Sequence, residues 1–171
     1  MISIRKAEQK DSAAITAIGK SAVEKAHRES CAAEILGQYM QTHYNEAAIE
    51  KELADSNNIY HLLYYNNEPA GFSKIVLNTA HNNITLPHTT KLDRIYLLEE
   101  YFDKKLGYEL LQHNVALSKT AQQQGMWLFT WVGNQRAVNF YKKAGFDIVG
   151  SHMFHVTAAH ANENHHMLLR Y

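Results

Sequence analysis

The run Asn134-Gln-Arg-Ala-Val-Asn-Phe-Tyr-Lys-Lys-Ala-Gly-Phe146 constrains the fold of this chain more than any other segment. It opens on a residue type that caps helix starts and closes on glycine, which tolerates the left-handed turn that ends a helix. Between them Ala137, Val138, Phe140, Tyr141 and Ala144 recur at the spacing of one helical face. The preceding run, Met126-Trp-Leu-Phe-Thr-Trp-Val132, is rich in aromatic and branched side chains and reads as a buried strand. A further strand starts at Phe146. Strand, short capped helix and strand therefore form one compact unit.

That unit resembles the C-terminal signature of the GNAT superfamily of N-acetyltransferases, N-x-x-A-x-x-F-Y-x-x-x-G-F. Each fixed position is matched, by Asn134, Ala137, Phe140, Tyr141, Gly145 and Phe146. A second segment, residues 92–111, supports the resemblance. Its first part reads as a strand over 90–98, and its second opens a long helix over about 104–124. Leu106, Leu110, Leu111, Val115, Leu117 and Ala121 supply that helix with a broad apolar face.

In the family, the turn between this strand and helix carries Q/R-x-x-G-x-G/A, and its backbone amides wrap the pyrophosphate of acetyl-coenzyme A. A helix N-terminus suits that task, because its first N–H groups lack intrahelical partners and its dipole end is positive. The corresponding window here is Phe102-Asp103-Lys104-Lys105-Leu106-Gly107, and it keeps only the last glycine. Phe102 stands in the polar first position and Lys105 in that of the first glycine. Three readings stay open: the lysines compensate by charge, the backbone alone suffices, or coenzyme binding is weakened or lost. Asp103 is expected to cap the helix.

The resemblance implies further roles. Ile95, Tyr96 and Leu97 line the acetyl and pantetheine end, where a backbone N–H polarises the thioester carbonyl. Tyr141 serves the departing thiolate, and Asn134 contacts the pantetheine. His27, Glu29 and Tyr39, on the N-terminal helices, are places to seek the acceptor pocket. Asp93, His27, Glu29, Glu34 and His155 are candidates for the general base, and no spacing singles one out. Segment 27–75 also resembles, on looser spacing, the small bacterial branch that includes diamine and spermidine acetyltransferases.

Apolar residues make up 46% of the 171, enough for one substantial core, and no linker divides the chain, so a single domain over 1–171 is expected. The element order predicts an α/β fold with a mixed sheet of about seven strands. Basic and acidic residues balance at 17 each, with no basic stripe to suggest nucleic acid as partner. The lone Cys31 excludes an internal disulfide. Neither a signal peptide nor a membrane-length apolar run is visible, so a cytoplasmic location and no membrane partner are expected. The eleven histidines, densest at His152/His155 and His165/His166, are expected on the surface and in loops rather than as metal ligands.

The function expected is transfer of an acetyl group from acetyl-coenzyme A, without a metal, to a primary amine of a small molecule, a polyamine among them, or of a peptide. A homodimer is left open. The alternative is a non-catalytic member of the fold that binds coenzyme A derivatives as a sensor or has lost that binding.

Overall fold

A computed structural model describes residues 1–171. The chain runs β1 (Ile2–Lys6), α1 (Ser12–His27), α2 (Ala33–His43), α3 (Glu46–Ala54), β2 (Asn58–Tyr65), β3 (Glu68–Val76), β4 (Thr89–Leu97), α4 (Leu106–Thr120), β5 (Gly125–Trp131), α5 (Gln135–Lys143), β6 (Asp147–Thr157) and β7 (His160–Arg170). The strands form one seven-stranded sheet in the order β1-β2-β3-β4-β5-β7-β6. All neighbours are antiparallel except β4 and β5, which run parallel. This is the mixed α/β architecture that the element order predicts.

Apolar residues cover both faces of the sheet. On one, Ile15, Ile18 and Val23 of α1, with Leu36 and Ile49, pack on Tyr60, Leu62 and Phe72. On the other, Leu111 and Val115 of α4 pack on Ile75, Leu92, Met126 and Leu128, with Tyr141 and Phe146 closing the cluster. Local chemistry sets the turns. Asn66 and Asn67 both take positive φ, 51° and 70°, as a two-residue hairpin between twisted strands requires. Gly145, at φ 96°, ends α5 in a Schellman motif, with Phe146 N–H donating to Tyr141 O at 3.0 Å and Gly145 N–H to Lys142 O at 3.0 Å.

Three expectations need correction. The long helix starts at Leu106 rather than Lys104 and ends at Thr120, because Asp103 and Lys105 take left-handed backbone that no helix can include. The last strand begins at His160, earlier than expected, because a tight turn pairs Thr157 with His160. The histidines are not all on the surface. His61 and His166 are buried, and His166 lies under His81 with Trp127 and Phe129 beside it.

Candidate active site

The parallel pair β4–β5 is joined at one end only. Thr89, Thr90 and Lys91 pair with Gly125, Met126 and Trp127, and beyond them the strands part. The register of β4 against β3 slips at the same place: Lys74 faces Arg94, while its neighbour Ile75 faces Leu92. Asp93 is thus the extra residue of a β-bulge, which bends β4 and increases its twist. A wedge-shaped gap opens between Asp93–Leu97 and the end of β5. Leu98 donates its N–H to Ala70 O of β3 at 3.0 Å. By the two-residue alternation of a strand, Ile95 and Leu97 turn their N–H and C=O groups toward the gap. The side chains of Ile95 and Leu97 go into the core beneath α4, with Leu106 and Leu110. Tyr96 takes the opposite face, 5.7 Å from the Phe72 ring and 6.4 Å from Tyr44.

At the open end of the gap lies the turn into α4. Phe102 spends its N–H on Glu99 O, but the N–H groups of Lys104, Lys105, Leu106 and Gly107 meet no acceptor in the protein. Asp103 and Lys105 sit at φ 62° and 60°. These are conformations glycine adopts freely and other residues adopt at a cost. The position of the first glycine, Lys105, thus keeps glycine-like backbone under another side chain. Lys105 itself is the N-cap of α4, and its carbonyl accepts from Tyr108 and Glu109. The expected cap at Asp103 is not made, because a left-handed backbone turns that carboxylate outward, where Arg136 donates to it at 3.2 Å. Lys104 extends over the Tyr65 ring at 5.8 Å.

α5 begins beside this turn. Asn134 caps it, accepting from Ala137 N–H at 3.2 Å. Tyr141, one turn further, is buried against Phe146 at 5.6 Å between ring centres. Burial, with the neighbouring Tyr96, pushes its hydroxyl well above the ordinary tyrosine pKa, so the group stays protonated at neutral pH.

The α1–α3 face of the gap carries a charged cluster that sequence reasoning did not assemble. The bulge brings Asp93 and Arg94 to one face. Arg94 donates to Glu52 at 3.0 Å and to Tyr60 at 2.8 Å. Lys74 donates to Glu52 at 2.7 Å and bonds Asp93 at 3.0 Å. Lys91 bonds Asp93 at 2.7 Å. The two lysines hold Asp93 down at about 2 against the opposing effect of burial. Glu52 is likewise lowered, although its own burial acts the other way. A legible signal existed: Lys91, Asp93 and Arg94 interrupt an otherwise apolar strand, and two adjacent charges break the alternation as a bulge does.

Of the residues expected near the acceptor, two line this face. His27, the last residue of α1, is half-buried, its ring 6.0 Å from that of Trp131, and burial lowers its pKa. Tyr39 of α2 stands 6.3 Å from Tyr44 and 6.0 Å from Phe154 of β6. Glu29 lies exposed in the turn after α1. No three His, Cys, Asp or Glu side chains converge as metal ligands would. No helix is long and apolar enough to cross a membrane.

Comparison with known proteins agrees with this geometry. Residues 12–146 match the model of the acetyltransferase (GNAT) family. An uncharacterised N-acetyltransferase from the pepI 3′ region of Lactobacillus delbrueckii subsp. lactis is 24% identical over 153 residues, covering 90% of this chain and 88% of that one. Among solved structures, the PaiA N-acetyltransferase of Thermoplasma acidophilum in complex with coenzyme A superposes with a TM-score of 0.78 at 18% identity, over 100% of this chain and 99% of the other. A GNAT-family acetyltransferase of Streptococcus pneumoniae gives 0.67 at 22%, over 100% of both chains. The family model spans most of the sheet and both segments that flank the gap, and this chain belongs to the GNAT family of N-acetyltransferases, which use acetyl-coenzyme A as acetyl donor.

Proposed function

We propose that this enzyme transfers the acetyl group to a primary amine of a small molecule or short peptide, with the donor held in the gap between β4 and β5. The observation that carries the reading is the conjunction of three features at one place. The free backbone edge of Ile95–Leu97 matches the amides of a pantetheine arm. The unpartnered N–H groups of Lys104–Gly107 suit the pyrophosphate at a helix N-terminus. Tyr141 supplies a hydroxyl that stays protonated.

In the reaction the amine nitrogen bonds to the thioester carbon, the carbon–sulfur bond breaks, and the amine loses a proton. The N–H of Ile95 or Leu97 steadies the developing oxyanion. Tyr141 gives a proton or hydrogen bond to the leaving thiolate. Asn134 fixes the start of α5 and touches the pantetheine. Asp93 and Glu52 suit the base poorly, since cations hold both ionised well below neutrality. His27 suits it better, being neutral at pH 7 and close to Trp131 at the end of β5.

Calorimetric titration with acetyl-coenzyme A, followed by thiol release with a panel of amines, tests this reading. Binding in the micromolar range and acceptor-dependent release are expected. Absence of binding at millimolar donor refutes it.

A further inference from the structure

The charged cluster on the acceptor side of the gap is unequal in sign and in bonding capacity. Three cations, Lys74, Lys91 and Arg94, face two carboxylates, Glu52 and Asp93. Every carboxylate oxygen already accepts from at least one cation of the cluster. Glu52 Oε1 accepts from Arg94, and Oε2 accepts from Lys74 and Tyr60. Asp93 Oδ1 is bonded to Lys91 and Oδ2 to Lys74. An incoming ammonium group therefore competes for these carboxylates with the three cations already bonded to them. An incoming anion finds donors to spare. Lys91 Nζ has three hydrogens and one carboxylate partner, and its side chain is the most exposed of the cluster at 29%. It rests 5.6 Å from the centre of the Trp127 ring, at the closed end of the gap.

We infer that the acceptor is an amine that also bears a carboxylate, and that Lys91 is the residue that binds this carboxylate. The inference rests on the acetyl-transfer reading above. Distance narrows the class further. Lys91 Nζ is held beside Asp93, two to three residues short of Ile95–Tyr96. At no more than about 3.3 Å per residue in a bulged strand, that is roughly 7–10 Å at most along β4 between Lys91 Nζ and the expected reacting end. A di- or tripeptide with a free C-terminus, or an ω-amino acid, spans it. An α-amino acid, with both groups on one carbon, does not. A polyamine brings a second positive charge to a surface with a positive surplus.

Matched acceptor pairs test the inference by thiol release from acetyl-coenzyme A: glycylglycine and triglycine against their C-terminal amides, 6-aminohexanoate against hexylamine, and spermidine. The acids are expected to show KM values at least ~10-fold below their neutral counterparts, the size of one charge-assisted hydrogen bond. Lys91→Met should raise KM for the acids by a similar factor, leave KM for the amides unchanged, and alter kcat little. Lys91→Arg should keep the preference. Calorimetric binding of acetyl-coenzyme A to each variant checks that the fold and donor site persist. Equal KM values for acids and amides, a preference for spermidine, or a preference that survives Lys91→Met overturns the inference. So does donor binding without release by any acid in the panel, an outcome that leaves the donor reading standing. Failure of the wild-type chain to bind acetyl-coenzyme A removes the donor reading itself, and this inference with it.

Discussion

The guanidinium of Arg136 lies 4.1 Å from the centre of the Phe102 ring. It joins the first turn of α5 to the start of the turn into α4, and it reaches Asp103 as well. Phe102 occupies a position that is polar in the family pattern, and it contributes a flat surface on which a cation rests. The positive charge near the expected phosphates thus comes from α5 as much as from the lysines of the turn.

Arg136→Ala should therefore weaken coenzyme A binding several-fold at low ionic strength, and the loss should shrink as salt rises, as for exposed charge contacts. Asp103→Asn should strengthen binding modestly by removing the competing carboxylate. Calorimetry at two salt concentrations reads both effects. An Arg136→Ala variant that binds as the wild type does at low salt assigns the arginine to the surface alone.

Lys105 carries a side chain in backbone that favours glycine, at φ 60°. Lys105→Gly should raise stability by about 0.5–1 kcal/mol, the strain relieved less the extra freedom of the unfolded chain. Lys105→Ala removes the same charge without relieving the strain and should bring no such gain. Urea unfolding of the pair separates backbone from charge. Equal stabilities for the two variants would show that the turn holds no strain at this residue.

Tyr141→Phe keeps the ring that packs on Phe146 and removes only the hydroxyl. A group that acts as charge develops on sulfur affects turnover rather than donor binding. The variant should lose about 10²-fold or more in kcat and keep its affinity for coenzyme A. Full turnover in Tyr141→Phe with a good acceptor excludes the role.

His166 is fully buried, and neither ring nitrogen has a partner. Burial, with His81 and His152 nearby, lowers its pKa to about 4. In the unfolded chain the same ring titrates near 6.5. Between about pH 6.5 and 4 the unfolded state binds the extra proton, so stability is full above that window and falls as pH drops through it. His61, lowered to about 4 by burial and His113, adds to the same slope. Thermal unfolding from pH 7.5 to 4.5 should show the fall, and His166→Phe should flatten it. An unchanged slope in that variant would place the acid sensitivity elsewhere.

The segment from Met126 to Phe146 was legible in the sequence because periodicity, caps and apolar content agree there. Asn134 does cap α5, and Gly145 does take the left-handed turn. The start of α4 was less legible, because Asp103 and Lys105 hold glycine-like backbone without being glycine. Only tertiary packing reveals that kind of cost. The Glu52–Lys74–Asp93–Arg94 cluster draws residues from three elements, and one bulged residue in β4 decides which of them meet. The adjacent charges of Asp93 and Arg94 point to the bulge, but no spacing along the chain records which residues of α3 and β3 they meet. His166 lies between His165 and Met167 in a strand whose alternation continues into polar residues. Its burial comes from the loop carrying His81, which folds over it.

Three register pairs at one end of two parallel strands make a slender bridge between antiparallel ribbons. On one side stand β1 to β4, on the other β5, β7 and β6. Peptide groups that an unbroken sheet would bond within itself are left along both lips for a visitor. A donor whose pantetheine pairs with both lips acts as a strand that arrives and departs with each catalytic cycle. With the donor bound as proposed, the sheet would be stitched and unstitched once per turnover, and its stiffness would rise and fall with the chemistry. Amide exchange along Asp93–Leu97 and Leu128–Trp131 is where that rhythm is written.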